Sequence, residues 1–92
     1  MEIREWNQIF RGLANVNRLK IIILLSRREK MHVTDIAGAL DISFVATSRH
    51  LGLLHDLGLL ESEGKEGHVY YRLNERMAAE ARGALRLFVP TK

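Results

Sequence analysis

Histidines at 32, 50, 55 and 68 are the residues of this chain with the most obvious capacity for metal binding or proton transfer. Their spacing supports neither. A zinc site wants three or four ligands at set intervals, and these four show no His-x-x-x-His pattern and no clustered carboxylates beside them. Cysteine is absent, so there is no thiolate nucleophile and no sulfur ligand. No metal and no cofactor are expected. The chain also lacks a nucleophile elbow, a phosphate-cradling glycine loop and a carboxylate pair with a cleft, so it is not expected to be an enzyme. What remains is hydrogen-bonding chemistry, and its best carrier is Arg49 beside Ser48, a bidentate fork next to a hydroxyl.

Composition sets the frame in which those residues must act. The 92 residues are 47 % hydrophobic and 27 % charged, which is the composition of a globular domain. One domain spanning 1–92 is expected. A chain of this size buries roughly 60 to 68 % of its unfolded surface, so a partner chain would help it. Net charge is +3 with a pI of 9.7, mildly basic and compatible with nucleic acid without arguing for it. Cysteine-free composition implies no disulfide framework and an intracellular, cytoplasmic location. The longest apolar run, Ile21 to Leu25, is too short to span a bilayer, so no membrane partner is expected. Met1-Glu2-Ile3-Arg4-Glu5 does not read as a signal peptide.

The elements that must position Arg49 follow from periodicity and punctuation. Ile3, Trp6, Phe10 and Leu13 form one helical stripe over residues 2–13, and Gly12 and Asn15 break it. Asn15 is the expected N-cap of a second helix, residues 16–28, apolar nearly all round and therefore central. Thr34 is expected to cap a short helix carrying Ile36, Ala37 and Leu40 inward. Asp41-Ile42-Ser43 reads as a turn, with Ser43 capping a helix that runs to about Leu57 with Thr47, Leu51, Leu54 and Leu57 inward. Gly58 stops it. Leu59 to Glu63 and His68 to Leu73 then read as two strands around a Gly64–Gly67 turn. Asn74 is expected to cap a last helix, residues 75–88, with Met77, Ala81, Leu85 and Phe88 on one face.

Phe10-Arg-Gly-Leu-Ala14, then Asn17-Arg-Leu-Lys-Ile21, resembles the opening of the ArsR/SmtB family of winged helix–turn–helix repressors. The resemblance continues through Asp41-Ile-Ser, Thr47-Ser-Arg-His-Leu51 and Leu54-His-Asp-Leu-Gly-Leu-Leu60. It closes on Gly64-Lys-Glu-Gly-His-Val-Tyr-Tyr-Arg-Leu73, which looks like the family's wing. It implies a mainly α fold with a small β-hairpin, a winged helix–turn–helix, and a homodimeric DNA-binding transcription regulator in which terminal helices often form the dimer interface. One departure bears on the effector. Metal sensors of the family carry Cys-Val-Cys-Asp where this chain has His32-Val33-Thr34-Asp35, and a second family site uses Asp and His on the last helix, where residues 74–92 have neither. No effector follows from the resemblance.

In helix–turn–helix proteins the N-terminal part of the second helix lies in the major groove. With Thr47, Leu51 and Leu54 inward, Phe44, Val45, Ser48, Arg49 and Gly52 face out. Arg49 is the only long cation among them and suits a bidentate contact to guanine. Ser48, with Ser43 at the helix start, can bond a base edge or a phosphate. Phe44 and Val45 can meet thymine methyls or pack on a neighbouring loop. His50 is either a ring half-buried against the hairpin, bonding backbone, or a phosphate or base contact. The wing offers Lys65, His68 and Arg72, diluted by Glu61, Glu63 and Glu66, so its tip is either a phosphate contact or a solvated turn. Ile3, Trp6, Phe10 and Leu13, together with Met77, Ala81, Leu85 and Phe88, are the expected homodimer interface. A winged-helix module that docks a protein instead of double-stranded DNA is the competing reading.

Overall fold

A computed structural model describes residues 1–90. In chain order it has α1 (Ile3–Leu13), α2 (Val16–Arg27), β1 (Met31–His32), α3 (Val33–Leu40), α4 (Phe44–Asp56), β2 (Leu60–Lys65), β3 (His68–Leu73) and α5 (Ala79–Leu85). The three strands form one antiparallel sheet in the order β1-β3-β2.

Local chemistry explains most boundaries. Glu5 reaches back to the Glu2 N–H at 3.1 Å to open α1. Asn15 caps α2, its Oδ1 accepting from the Arg18 N–H at 3.1 Å, and Ser43 caps α4, its Oγ accepting from the Ala46 N–H at 3.0 Å. Gly58, at φ 79°, ends α4 by letting its own N–H reach His55 O and the Leu59 N–H reach Leu54 O.

Three expected boundaries are corrected and one unforeseen strand is added. The cap of α3 is His32, whose Nδ1 accepts from the Thr34 N–H at 3.1 Å, so Thr34 lies inside the helix. Met31 and His32 also form the strand β1 against Tyr71 and Tyr70, which no periodicity in two residues can announce. The hairpin turn sits at Glu66-Gly67, with Gly64 and Lys65 in β2. Asn74 does not cap the last helix. Its Oδ1 accepts from the Arg76 N–H and its Nδ2 donates to Gly58 O, both at 2.9 Å, so it closes a turn and α5 starts only at Ala79.

The core gathers around α2, which packs on α1, α3, α4 and β3. Ile21, Ile22, Ile36, Leu51, Leu54 and Leu59 are fully enclosed. Leu19, Ile23 and Leu24 are only half-buried, so α2 is covered on fewer sides than its composition implies. Gly12 does not break α1. It is a buried helical position facing the Leu57 side chain at the end of α4, whose methyl end would have to move aside for a Cβ.

Candidate nucleic-acid interface

The turn between α3 and α4 is built by Asp41 at φ 56°, with the Ile42 N–H bonded to Ala37 O at 3.2 Å. Thr47 then anchors the start of α4. It is fully buried, and its Oγ1 donates to Ser43 O at 2.8 Å. With Thr47, Leu51 and Leu54 packed inward, the opposite side of the first two turns is open. Phe44 is 56 % exposed and Val45 65 %, Arg49 is exposed, and Ser48 and Gly52 are half-exposed. From Ser43 to His55 there is no carboxylate. The result is a helix start presenting one guanidinium, hydroxyls and two apolar side chains to solvent.

His50 is half-buried, as its structural reading expected, but it meets a side chain and not backbone. Its Nδ1 lies 3.3 Å from Nη1 of Arg18 on α2. Burial, with the positive charges of Arg18 and Arg49 added to it, holds the imidazole below the usual histidine range. Arg18 is not among the residues that spacing singles out. Its position, 32 residues from His50, carries no local signal.

The hairpin is a wing in form. Glu66 at φ 54° and Gly67 at φ 80° make a two-residue turn with both central residues left-handed, the type I′ geometry that matches strand twist. Lys65 and His68 face each other across it at the tip, both exposed. Arg72 sits four residues away at the root, where its Nε donates to Glu61 at 3.1 Å while Arg76 donates to the other Glu61 oxygen at 3.3 Å. Those two bonds hold the Glu61 carboxyl below its ordinary range. Arg72 is thus committed to Glu61 and stands apart from the tip. At the inner end, Lys30 lies 3.3 Å from Glu63 and 5.3 Å over the Tyr70 ring.

Two of the four histidines, scattered in sequence, come together here. His32 and His68 meet edge to face with ring centres 4.6 Å apart, and His32 meets Tyr70 in the same way at 5.4 Å. Among the described residues no group of three or more His, Cys, Asp or Glu could hold a metal ion. No helix among them is long and apolar enough to cross a membrane.

The two stripes expected to form a dimer interface divide. Leu13, Ala81 and Leu85 are buried in the chain's own core, and Met77 and Phe88 pack against it while staying partly exposed. Ile3 at 85 % and Phe10 at 54 % remain exposed, Trp6 stacks on Phe10 at 5.3 Å, and Leu87, which the stripe omitted, is 84 % exposed.

Comparison with known proteins agrees with this architecture. The family described as "Bacterial regulatory protein, arsR family" matches residues 15–62, which run from the cap of α2 into β2. The chain is 42 % identical over 74 residues to the arsenical resistance operon repressor of Escherichia coli (strain K12), an alignment covering 80 % of this chain and 63 % of that protein. It therefore spans less than two thirds of that relative's length. Among solved structures, HlyU from Vibrio cholerae N16961 superposes with a TM-score of 0.79 at 26 % identity, covering 95 % of this chain and 92 % of HlyU. The homodimeric winged helix–turn–helix DNA-binding domain (fragment 1–100) from Mycobacterium bovis gives 0.78 at 26 % identity, covering 92 % of this chain and 75 % of that one. With α3, the Asp41 turn, α4 and the hairpin in the same order, the fold is a winged helix–turn–helix, and the chain belongs to the ArsR family of bacterial regulatory proteins, which are regulators and not enzymes.

Proposed function

We propose that the chain is a sequence-specific DNA-binding transcriptional repressor that acts as a homodimer on an inverted-repeat operator. The observation that carries this reading is the exposed, carboxylate-free start of α4 with Arg49 at its centre. Placed in the major groove, Arg49 offers a bidentate contact to guanine and Ser48 a bond to a base edge or phosphate, while Phe44 and Val45 meet thymine methyls. Ser43 lies at the helix start, near the backbone. Lys65 and His68 at the wing tip supply phosphate contacts, with Arg72 behind them at the root, where it shares its guanidinium with Glu61. The relatives' names support repression, and the Mycobacterium bovis domain, itself a homodimer, supports dimerisation.

The exposed Ile3, Phe10 and Leu87, with Trp6 beside Phe10, are the surface we assign to the second copy, since exposed apolar groups of this size gain most by mutual burial. Regulation does not run through a cysteine-based metal site, because soft metals select thiolates and the chain has none.

Selecting bound duplexes from a random pool tests this reading. The expected product is an imperfect inverted repeat with half-site centres about 34 to 36 Å apart, one helical turn. Recovery of no preferred sequence, with no steep loss of binding as salt rises, would instead favour a protein-docking module.

A further inference from the structure

We propose that Arg18 is a positioning residue that sets the pose of α4, through a link to His50 that protonation of the imidazole opens. The inference rests on the DNA reading of α4 given above.

The last turn of α1 leaves four carbonyls without helical partners. The Ala14 and Asn15 N–H groups serve two of them, Phe10 O and Leu13 O. The Arg18 guanidinium serves the other two, Nε donating to Gly12 O and Nη2 to Arg11 O at 3.4 Å. Its remaining arm, Nη1, points to His50 Nδ1 at 3.3 Å. One planar, rigid group therefore joins the end of α1, the start of α2 and the middle of α4, on the residue adjoining Arg49. The same α1–α4 contact is tightened where Gly12 meets Leu57.

A guanidinium can only donate, so Nδ1 must offer a lone pair and the ring proton sits on Nε2. The charges that reach the ring are Arg18 from α2 and Arg49 from α4 itself, both positive; α1 contributes the carbonyls that hold Arg18, and no carboxylate opposes them. Protonation at Nδ1 removes the acceptor and sets a third positive charge against two others. The link is thus present above the His50 pKa and lost as pH falls through it. Because α1 also carries the exposed Ile3 and Phe10 assigned to the dimer, the clamp ties the reading helix to the helix that spaces the two copies.

Two measurements on the intact chain decide this. Ring nitrogen-15 NMR of the free protein should show His50 with a bare Nδ1 and protonated Nε2, and Arg18→Ala should raise its pKa toward the ordinary value. Binding to the selected duplex is then compared with random duplex from pH 7.5 down through the His50 pKa. The unmodified chain should lose about fivefold to tenfold in that ratio once the imidazole is charged. His50→Asn keeps an acceptor near the place of Nδ1 without titrating, and should hold the ratio flat. If Arg18→Ala fails to fold in a melting experiment, the His50→Asn profile carries the test alone. An unchanged His50 pKa in a folded Arg18→Ala, or the same acid loss in His50→Asn, overturns the proposal. A chain that binds no duplex at pH 7.5 overturns the DNA reading and the assigned pose of α4, leaving the ring titration to decide the link.

Discussion

Two surfaces face the proposed DNA, and they are held in opposite ways. The start of α4 is fixed from within: Thr47, Leu51 and Leu54 are fully buried, Ser43 caps it, and Arg18 ties it to α1. The wing is fixed from outside, by strand pairing and by ion pairs of Glu61 and Lys30 whose side chains stay partly in water. Buried packing resists displacement by several kcal/mol, whereas exposed ion pairs contribute about 0 to 1 kcal/mol each. Under the proposed reading, specificity, which needs side chains held in place, falls to α4, and general attraction to phosphate, which tolerates movement, falls to the wing.

The difference is broken most severely by Leu51→Ala. Truncating a fully buried leucine under α4 should cost about 2 to 5 kcal/mol of unfolding free energy. Truncating exposed Val69 in the wing should stay within about 0.5 kcal/mol, both read by denaturant titration. A loss below 1 kcal/mol for Leu51→Ala would show that α4 is not anchored by its buried face.

Next in size is the pair Arg49→Ala and Lys65→Ala. The first should weaken the selected duplex by about 1 to 3 kcal/mol and random duplex much less. The second should weaken both alike and flatten the salt dependence by about one unit. Equal loss on both duplexes for Arg49→Ala would make it a phosphate contact and move specificity to Ser48 and Phe44.

The smallest effect belongs to Glu61→Gln at the wing root. Arg72 and Arg76 hold this carboxyl below its ordinary range, so its stabilising contribution is present above the usual carboxylate pKa and is lost as pH falls through the lowered one. Melting curves should show a slight deficit for Glu61→Gln at pH 7 that disappears under acid. A deficit that persists at low pH would mean Glu61 acts through packing and not charge.

How much of this was readable in the chain depends on how local each cause is. Asn15, Ser43 and Gly58 do their work within four residues, and their spacing announced the ends of α2 and α4. Thr47, Leu51 and Leu54 lie on one helical face, so the outward set around Arg49 followed from the period. The strand β1 was not readable, because its two residues are a strand only by virtue of Tyr70 and Tyr71 far along the chain. Asn74 misled for the same reason: the partner that engages its amide, Gly58 O, lies 16 residues back. The terminal stripes were visible as apolar faces, but periodicity says only that a face is apolar. Whether it meets its own core, as Leu13 and Leu85 do, or stays open, as Ile3 and Phe10 do, is settled by packing.

The shortness of β1 has one more consequence. It lines β3 only at Tyr70 and Tyr71, so the last rungs of the hairpin, Gly64 with Val69 and Lys65 with His68, form a ribbon of two strands and no third. An isolated ribbon of that width is marginal in water. Amide hydrogens at the tip should therefore exchange with solvent sooner than those beside β1, because opening there needs only local fraying. Contact at the tip must suppress that fraying, whereas the packed start of α4 has none to suppress. Contact through Lys65 and His68 thus carries an opposing entropy that contact through Arg49 does not.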